Sequence, residues 1–432
     1  MIDSTIQKAE PSSGAPGAPE TEPRRALATE RPPPATAGAI ATAVPAVDLV
    51  RTNDEVMAFF ATHHGLEAVA VLEGGAPIGL INRKSFFEAY VRPFARELFG
   101  RRSCGEWMER APLIVDEAMP VEQLVRSAVA AGAAVLKDGF ITTHRGGYAG
   151  LGAGFSLMEA MSALEAERTR KLLESIDYAS MIQRSHLRAS DDQLAAGLSD
   201  FALVWEPRDV VGGDCYFFRR FGAGLFGAVL DCTGHGVPGA FMTLIALSFL
   251  DHAVTAERRD PGATLAGLNR YIKRVLGQRA GDGGRPGATH SDDGLDGACF
   301  WIDADGGAIE LAGAHLPVLV ARPDGGPAES VPGARASVGY LDTPDDQEWP
   351  TRRVPLESGS LVAIATDGLY DQVGGFKRIA LGRRRFAELV AAHRAGAARD
   401  VARRLLDALA AWQGDEPRRD DLTLLLLRAR PA

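Results

Sequence analysis

No two cysteines in this sequence are spaced as Cys-x-x-Cys, and only four occur among 432 residues: Cys104, Cys215, Cys232 and Cys299. That scarcity excludes a thiolate zinc cluster, a thioredoxin-like motif and a disulfide framework, and points to a reduced, cytoplasmic chain. A Lys/Arg block spanning several turns is missing too, and the net charge is −9 with a pI near 5.6. Such a surface is poorly suited to displacing phosphate counterions, so nucleic acid is not an expected partner. Long hydrophobic runs are equally absent. The longest, residues 240–250, contains Thr243 and Ser248 and stops at Asp251, short of the roughly 18 apolar residues of a membrane span. Without a basic stretch leading into an apolar one at the N-terminus, neither a secretory signal nor a membrane partner is expected.

What is present reads as a soluble chain of two or three domains, with 46% hydrophobic and 24% charged residues. Residues 1–45 are rich in Pro and Ala and read as a disordered tail, because such a composition buries too little apolar area to offset chain entropy. Residues 46–156 hold an internal repeat. Gly79-Leu80, seven residues, then Glu88-Ala89 recurs as Gly150-Leu151, seven residues, then Glu159-Ala160. A Gly-Gly turn precedes each copy, Gly74-Gly75 and Gly146-Gly147, at distances that differ by one residue. Each half therefore reads as strand, tight turn, strand, helix.

The stretches 69–72 and 77–83 make this region resemble a tandem pair of cystathionine-beta-synthase (CBS) regulatory domains. In that family a Ser or Thr three residues after the Gly, and an Asp three further on, often hold a nucleotide ribose. Here those positions are Asn82 and Ser85, then Ala153 and Ser156, so the acidic residue is absent from both halves. The resemblance leaves open a nucleotide sensor or a scaffold for homodimerisation.

Residues 157–190 read as a helical linker, with Met161, Leu164, Leu172, Ile176, Ala179 and Ile182 on a broad apolar stripe interrupted by Arg168. It is either a helix packed on its own domain or a signalling helix between sensor and catalytic region. Residues 191–432 then mix runs of strands with runs of helices, the pattern of an antiparallel α+β layer structure. The strands are read at 201–205, 225–230, 298–302, 308–311, 318–321, 361–366 and 422–427; the helices at 238–256, 264–276 and near 384–412. Gly277–Gly297, rich in Gly and Asp, reads as a mobile flap or an insertion.

Four aspartates stand at strand ends or tight turns in this last region. Asp214 follows Gly212-Gly213, Asp231 opens Asp-Cys-Thr-Gly-His-Gly, Asp367 precedes Gly368, and Asp420-Asp421 precedes the final apolar strand. Carboxylates converging from several strands repel unless a cation neutralises them, and an all-oxygen site suits Mg2+ or Mn2+.

In that order the motifs resemble the type 2C (PPM) metal-dependent protein phosphatases, in the bacterial SpoIIE-like branch. The likeness covers about 178–429 and includes residues 178–183, 313–317 and 337–340. It implies a PPM-type αββα sandwich, two antiparallel sheets flanked by helices, and two Mn2+ or Mg2+ ions at the sheet edge. Carried over by motif, Asp231 bridges both ions, the Cys232 carbonyl adds a ligand, and Asp214, Asp367 and Asp420 complete the sites. Asp421, Gly234 and His235 lie around them, and Arg208 could reach the substrate phosphate. The resemblance implies that a water shared by the two ions, its pKa lowered, would attack phosphorus in line. Where eukaryotic relatives carry a histidine two residues after the bridging Asp, this chain has Thr233, which cannot act as a general acid near neutral pH.

Cys215 and Cys232 flank two of the ligands, as either a redox pair or small residues tolerated in a tight site. The resemblance further implies a phosphorylated STAS-domain (anti-sigma-factor antagonist) substrate, with residues 46–156 gating the phosphatase through the linker. The alternatives are a diguanylate-cyclase-like nucleotidyl transferase, since Gly-Gly-Asp opens that family's motif too, and a non-catalytic binding module of the PPM fold.

Overall fold

The computed structural model describes residues 36–278 and 292–429. The expected tail up to residue 35 and most of the expected flap, residues 279–291, lie outside the described residues. Contacts gather the chain into two units divided between Leu173 and Glu174.

The first unit carries the repeat. In its first half β1 (Val47–Asp48) leads through helix Asn53–Thr62 to β2 (Ala68–Glu73), β3 (Ala76–Asn82) and helix Arg83–Tyr90. The second half has β4 (Ile114–Asp116), helices Val121–Ala131 and Ala133–Asp138, β5 (Phe140–His144), β6 (Gly147–Gly152) and a helix starting at Gly154. In each half the first strand runs parallel to the second, which pairs antiparallel with the third. The two hairpin turns resolve the one-residue offset between the copies. Positive φ falls on Gly74 and Gly75 in one and on Arg145 and Gly146 in the other. The second turn is therefore Arg145-Gly146, and Gly147 already opens β6. Two-residue hairpins of this kind need left-handed φ at both centres, which glycine adopts without strain. Residues 36–45, expected in the tail, join this unit instead: Thr42 exchanges backbone hydrogen bonds with Leu151 at 2.8 and 3.0 Å. Phe60, Val69, Val71, Ile81 and Phe86 form the core of the first half, and Leu124, Phe140 and Leu157 that of the second.

A single helix, Gly154–Gly197, is longer than the expected linker and contributes to both units. Its buried face also differs from the expected stripe. Leu172 is 67% exposed, whereas Ser180, Gln183, Leu187, Ser190 and Leu194 are buried at alternating three- and four-residue spacing. Polar side chains occupy this face because its partners are backbone and hydroxyl groups, so hydrophobicity alone does not mark it.

The second unit contains two five-stranded antiparallel sheets. The first comprises β8 (Asp214–Phe221), β9 (Gly224–Cys232), β10 (Leu295–Asp303), β11 (Ala308–Ala314) and β14 (Arg352–Pro355), in spatial order 14-11-10-9-8. The second comprises β7 (Phe201–Glu206), β12 (Val318–Ala321), β13 (Glu329–Val331), β15 (Leu361–Ala365) and β18 (Leu422–Arg428), in order 13-12-15-18-7. A two-stranded hairpin, β16 (Val373–Gly374) and β17 (Ile379–Ala380), lies outside both.

Alternation along the strands explains the layering. Val362, Ile364, Leu425 and Leu427 join Phe226, Phe300 and Trp301 in one core, while Ala363, Ala365, Leu424 and Leu426 face Phe386, Val390, Val401 and Leu405 of helices Arg383–His393 and Ala398–Gln413. Helices Gly236–Ala253 and Pro261–Leu276 cover the first sheet. Strands buried on both faces lose the apolar–polar alternation, which is why β18 reads as a continuous apolar run and why β8 shows no strand signal in the sequence. Gly236–Ala253 is long and apolar enough to cross a membrane by length and composition, yet Met242, Ala246, Leu247 and Leu250 are buried in the core.

Candidate active site

Strand register builds the first half of the site. Asp214 at the start of β8 is paired with Asp231 near the end of β9, and Asp231 is paired with Asp296 on β10. Register partners project to one face about 5 Å apart, so three like charges stand in a row across three strands. Asp296 escaped the sequence reading because β10 begins at Leu295, earlier than its apolar run suggests. The usable signal was the same as for Asp231, a carboxylate at the end of an apolar strand.

The second sheet supplies Asp367, just after β15, and Asp420 and Asp421, just before β18. Two hydroxyls tie the sheets together. Thr366 Oγ1 and Thr423 Oγ1 each donate to Asp214 Oδ2 at 2.7 Å, and the Thr423 amide donates to Thr366 Oγ1 at 2.8 Å. Asp214 is only 1% exposed, so its orientation is set by these two bonds. Asp421 performs a different task. Its Oδ1 accepts from the Arg208 amide and its Oδ2 from the Gly213 amide, both at 2.6 Å. Both oxygens are thereby committed to holding the 208–213 loop that delivers Asp214. Gly213 cannot be larger, since a Cβ there would lie 2.3 Å from the Gly234 carbonyl and 2.8 Å from that of Cys232.

A third anchor comes from the long helix. Gln183, 1% exposed, donates to the Gly212 carbonyl at 2.7 Å and to Thr243 Oγ1 at 3.1 Å, and accepts from the Gly212 amide at 3.3 Å. Arg208 is exposed, with its guanidinium donating to the Arg419 carbonyl at 3.0 Å beside Asp420. His235 Nδ1 lies 2.7 Å from Asp209 Oδ2, a neighbour the sequence reading did not name. Thr233 is used structurally, donating to the Gly294 carbonyl at 2.9 Å and meeting the Tyr340 hydroxyl. Asn82, the first ribose position of the repeat unit, caps its own helix by accepting from the Ser85 amide at 3.1 Å.

The electrostatics follow from crowding. Burial, followed by the charges of Asp421 and Asp367, pushes Asp214 up to about 8 against its two hydroxyl bonds. Asp231 is raised well above the carboxylate range by burial and then by Asp214, Asp367, Asp420 and Asp296. Asp367 rises to about 6 through burial and the charge of Asp420, although Asp231 lies within hydrogen-bond distance. Two carboxylates hold such a separation only by sharing a proton or a cation. Among the described residues no three His, Cys, Asp or Glu side chains close on one point as a finished cage. What the fold assembles is an all-oxygen rim, with the Cys232 carbonyl beside it, and that donor chemistry fits a hard divalent ion. Cys215 and Cys232 are both buried, and contact with Cys215 together with burial raises the Cys232 thiol, which favours its unreactive form.

The site is thus a carboxylate rim at one edge of two antiparallel sheets covered by helices. Residues 222–430 match the family model described as Stage II sporulation protein E (SpoIIE). The chain is 35% identical to the SiaA-PP2C domain of Pseudomonas aeruginosa, with a TM-score of 0.53, covering 61% of this chain and 99% of that one. The chain belongs to the SpoIIE/PP2C-type serine/threonine phosphatases. The PP2C phosphatase domain of SpoIIE from Bacillus subtilis, with a fragment of its regulatory domain, is 14% identical, with a TM-score of 0.42 over 54% of this chain and 63% of that one. The RsbU and RsbW domains of a Mycobacterium tuberculosis protein are 21% identical, with a TM-score of 0.40 over 54% and 61%. Comparison with curated proteins returns no match. The family carries metal-dependent phosphatases, and neither the nucleotidyl-transferase nor the non-catalytic alternative is favoured.

Proposed function

We propose that residues 191–432 hydrolyse phosphoserine or phosphothreonine on a STAS-type anti-sigma-factor antagonist, and that residues 46–156 gate this activity through the long helix. The row Asp214–Asp231–Asp296, met by Asp367 and Asp420 from the other sheet, carries the catalytic reading. Asp214, Asp231, Asp367, Asp420 and the Cys232 carbonyl would hold two Mn2+ or Mg2+ ions. When bound, such ions supply Lewis acidity that activates water and offsets phosphoryl charge. The chain's own groups do the positioning: Thr366 and Thr423 fix Asp214, while Asp421 and Gln183 hold the loop before it. In this reading Arg208, exposed beside Asp420, meets the phosphoryl oxygens. His235, oriented by Asp209, is available to pass a proton to the departing alkoxide.

The strand–helix–strand–strand–helix order of each half supports a CBS-like identity for residues 46–156. Both ribose positions lack an acid, and Asn82 is used as a helix cap, which favours a scaffold over a nucleotide site. Exposed Met158, Met161, Leu172 and Leu173 on the long helix support a homodimer. Family membership accords with a STAS substrate, and the scarcity of cysteines accords with a cytoplasmic setting. The deciding experiment is Mn2+-dependent phosphate release from a phosphorylated STAS protein by the full chain. Release by the wild type and none by Asp231→Asn is expected; equal activity of the two would remove the reading.

A further inference from the structure

Beside the acidic rim the second unit has a groove of ≈ 530 Å3 with the opposite charge. It lies against β12 and β13 on one side and helix Arg383–His393 on the other, and its 14 lining residues include His315, Arg335, Arg383 and Arg384 but no carboxylate. Its floor is apolar, from Leu319, Ala365 and Phe386. Tyr370 connects it to the catalytic edge, since Tyr370 lines the groove and closes the helical turn Asp367–Tyr370.

The cations are not all neutralised internally. Arg384 donates to Glu388 at 2.9 Å, and Arg383 lies 4.9 Å from the centre of the Tyr370 ring and donates to its hydroxyl at 3.3 Å. Arg335 is exposed and has no carboxylate partner among the described residues. The loops that build the mouth are held in place: His315 sits at φ +53, its amide donating to the Ala334 carbonyl at 2.9 Å, and the Ala334 amide donates to the Gly313 carbonyl at 2.7 Å. Gly313-Ala314-His315-Leu316-Pro317, a motif with no part in the acidic rim, thus has a place at this groove.

We propose that the groove is the docking site for the segment flanking the phosphorylated residue, and that it selects substrates with acidic side chains on an otherwise apolar flank. This rests on the phosphatase reading above and adds the substrate class to it. Charge complementarity is the argument. A protein of net charge −9 with a carboxylate-rich centre repels an acidic phosphopeptide at long range, and a local patch of Arg offsets that repulsion where the chain must lie. The apolar floor then accepts the side chains between the charges.

The test uses the full chain with Mn2+, para-nitrophenyl phosphate, and two phosphoserine peptides that differ only in Glu or Lys flanks. Wild type is expected to show the lower KM on the Glu-flanked peptide, with the preference fading at high salt. Arg335→Glu and Arg384→Glu are each expected to shift the Glu-to-Lys ratio of kcat/KM by about fivefold through KM, the scale of an exposed ion pair, and together to reverse it. Arg335→Ala, on an exposed loop, gives a smaller shift in the same direction. If wild type hydrolyses para-nitrophenyl phosphate but treats both peptides alike, or the variants keep the wild-type ratio, the groove assignment is overturned and the phosphatase reading stands. If wild type releases phosphate from none of the three, the phosphatase reading falls and the groove assignment with it.

Discussion

The polar residues at strand ends behave differently in the two units. In the repeat unit they are satisfied locally: Thr52 and Glu55 form a reciprocal capping box, and Asn82 caps the helix that follows β3. In the phosphatase unit the strand ends bring Asp214, Asp231, Asp296, Asp367 and Asp420 toward one another, where burial and then the neighbouring carboxylates raise the protonation of Asp214, Asp231 and Asp367. The same residue classes serve structure when a backbone donor lies one turn away. They become a site when their nearest charged neighbours carry the same sign.

The contrast breaks most completely at Asp231. Asp231→Asn removes the charge shared by both sheets and is expected to abolish Mn2+-dependent phosphate release, a loss beyond the roughly 10–100-fold of an outer-sphere change. The same variant should melt at a higher temperature than wild type in EDTA, because one repelling charge is gone. A lower melting temperature would show that Asp231 is satisfied like a capping residue.

pH provides the next test. Asp214 and Asp367 have folded pKa values of about 8 and about 6, above their ordinary 3.8. Groups raised on folding contribute stability at low pH and lose it as pH climbs through the folded values. The metal-free chain should therefore lose thermal stability between about pH 4 and pH 8, and Mn2+ should restore it most strongly at the upper end, where the carboxylates are ionised. A flat profile in EDTA would contradict the crowding described here.

Asp421→Asn keeps the shape but can accept only one of the two amide bonds from Arg208 and Gly213. A loss of about 10–100-fold in kcat is expected, since the loop carrying Asp214 is loosened without removing a proposed ligand. Gln183→Ala leaves the Gly212 groups and Thr243 without their partner and should cost about 1–3 kcal/mol in denaturant unfolding of the phosphatase unit. In the repeat unit the effect is smallest. Thr52→Ala should cost about 1 kcal/mol by loss of a cap and leave kcat unchanged.

Much of the fold was legible in local patterning. The strand 318–321 has the expected limits, and the helices beginning at Pro261 and Gly236 lie within a few residues of their expected starts. Elements buried on one face announce themselves by period. β8, enclosed on both faces, did not, and the polar face of the long helix around Gln183 was hidden beneath a more conspicuous apolar stripe that remains partly exposed.

By itself the sequence determined the strand-end aspartates, the repeat and its glycine turns, because each depends on residues a few positions apart. Only the tertiary structure decided that Asp296 joins Asp231, that Asp421 holds Gly213 across 208 positions, and that arginines near 335 and 384 share one groove. The physical reason is strand register. It sets which distant carboxylates meet and which find an amide, and no local pattern encodes the pairing of one strand end with another.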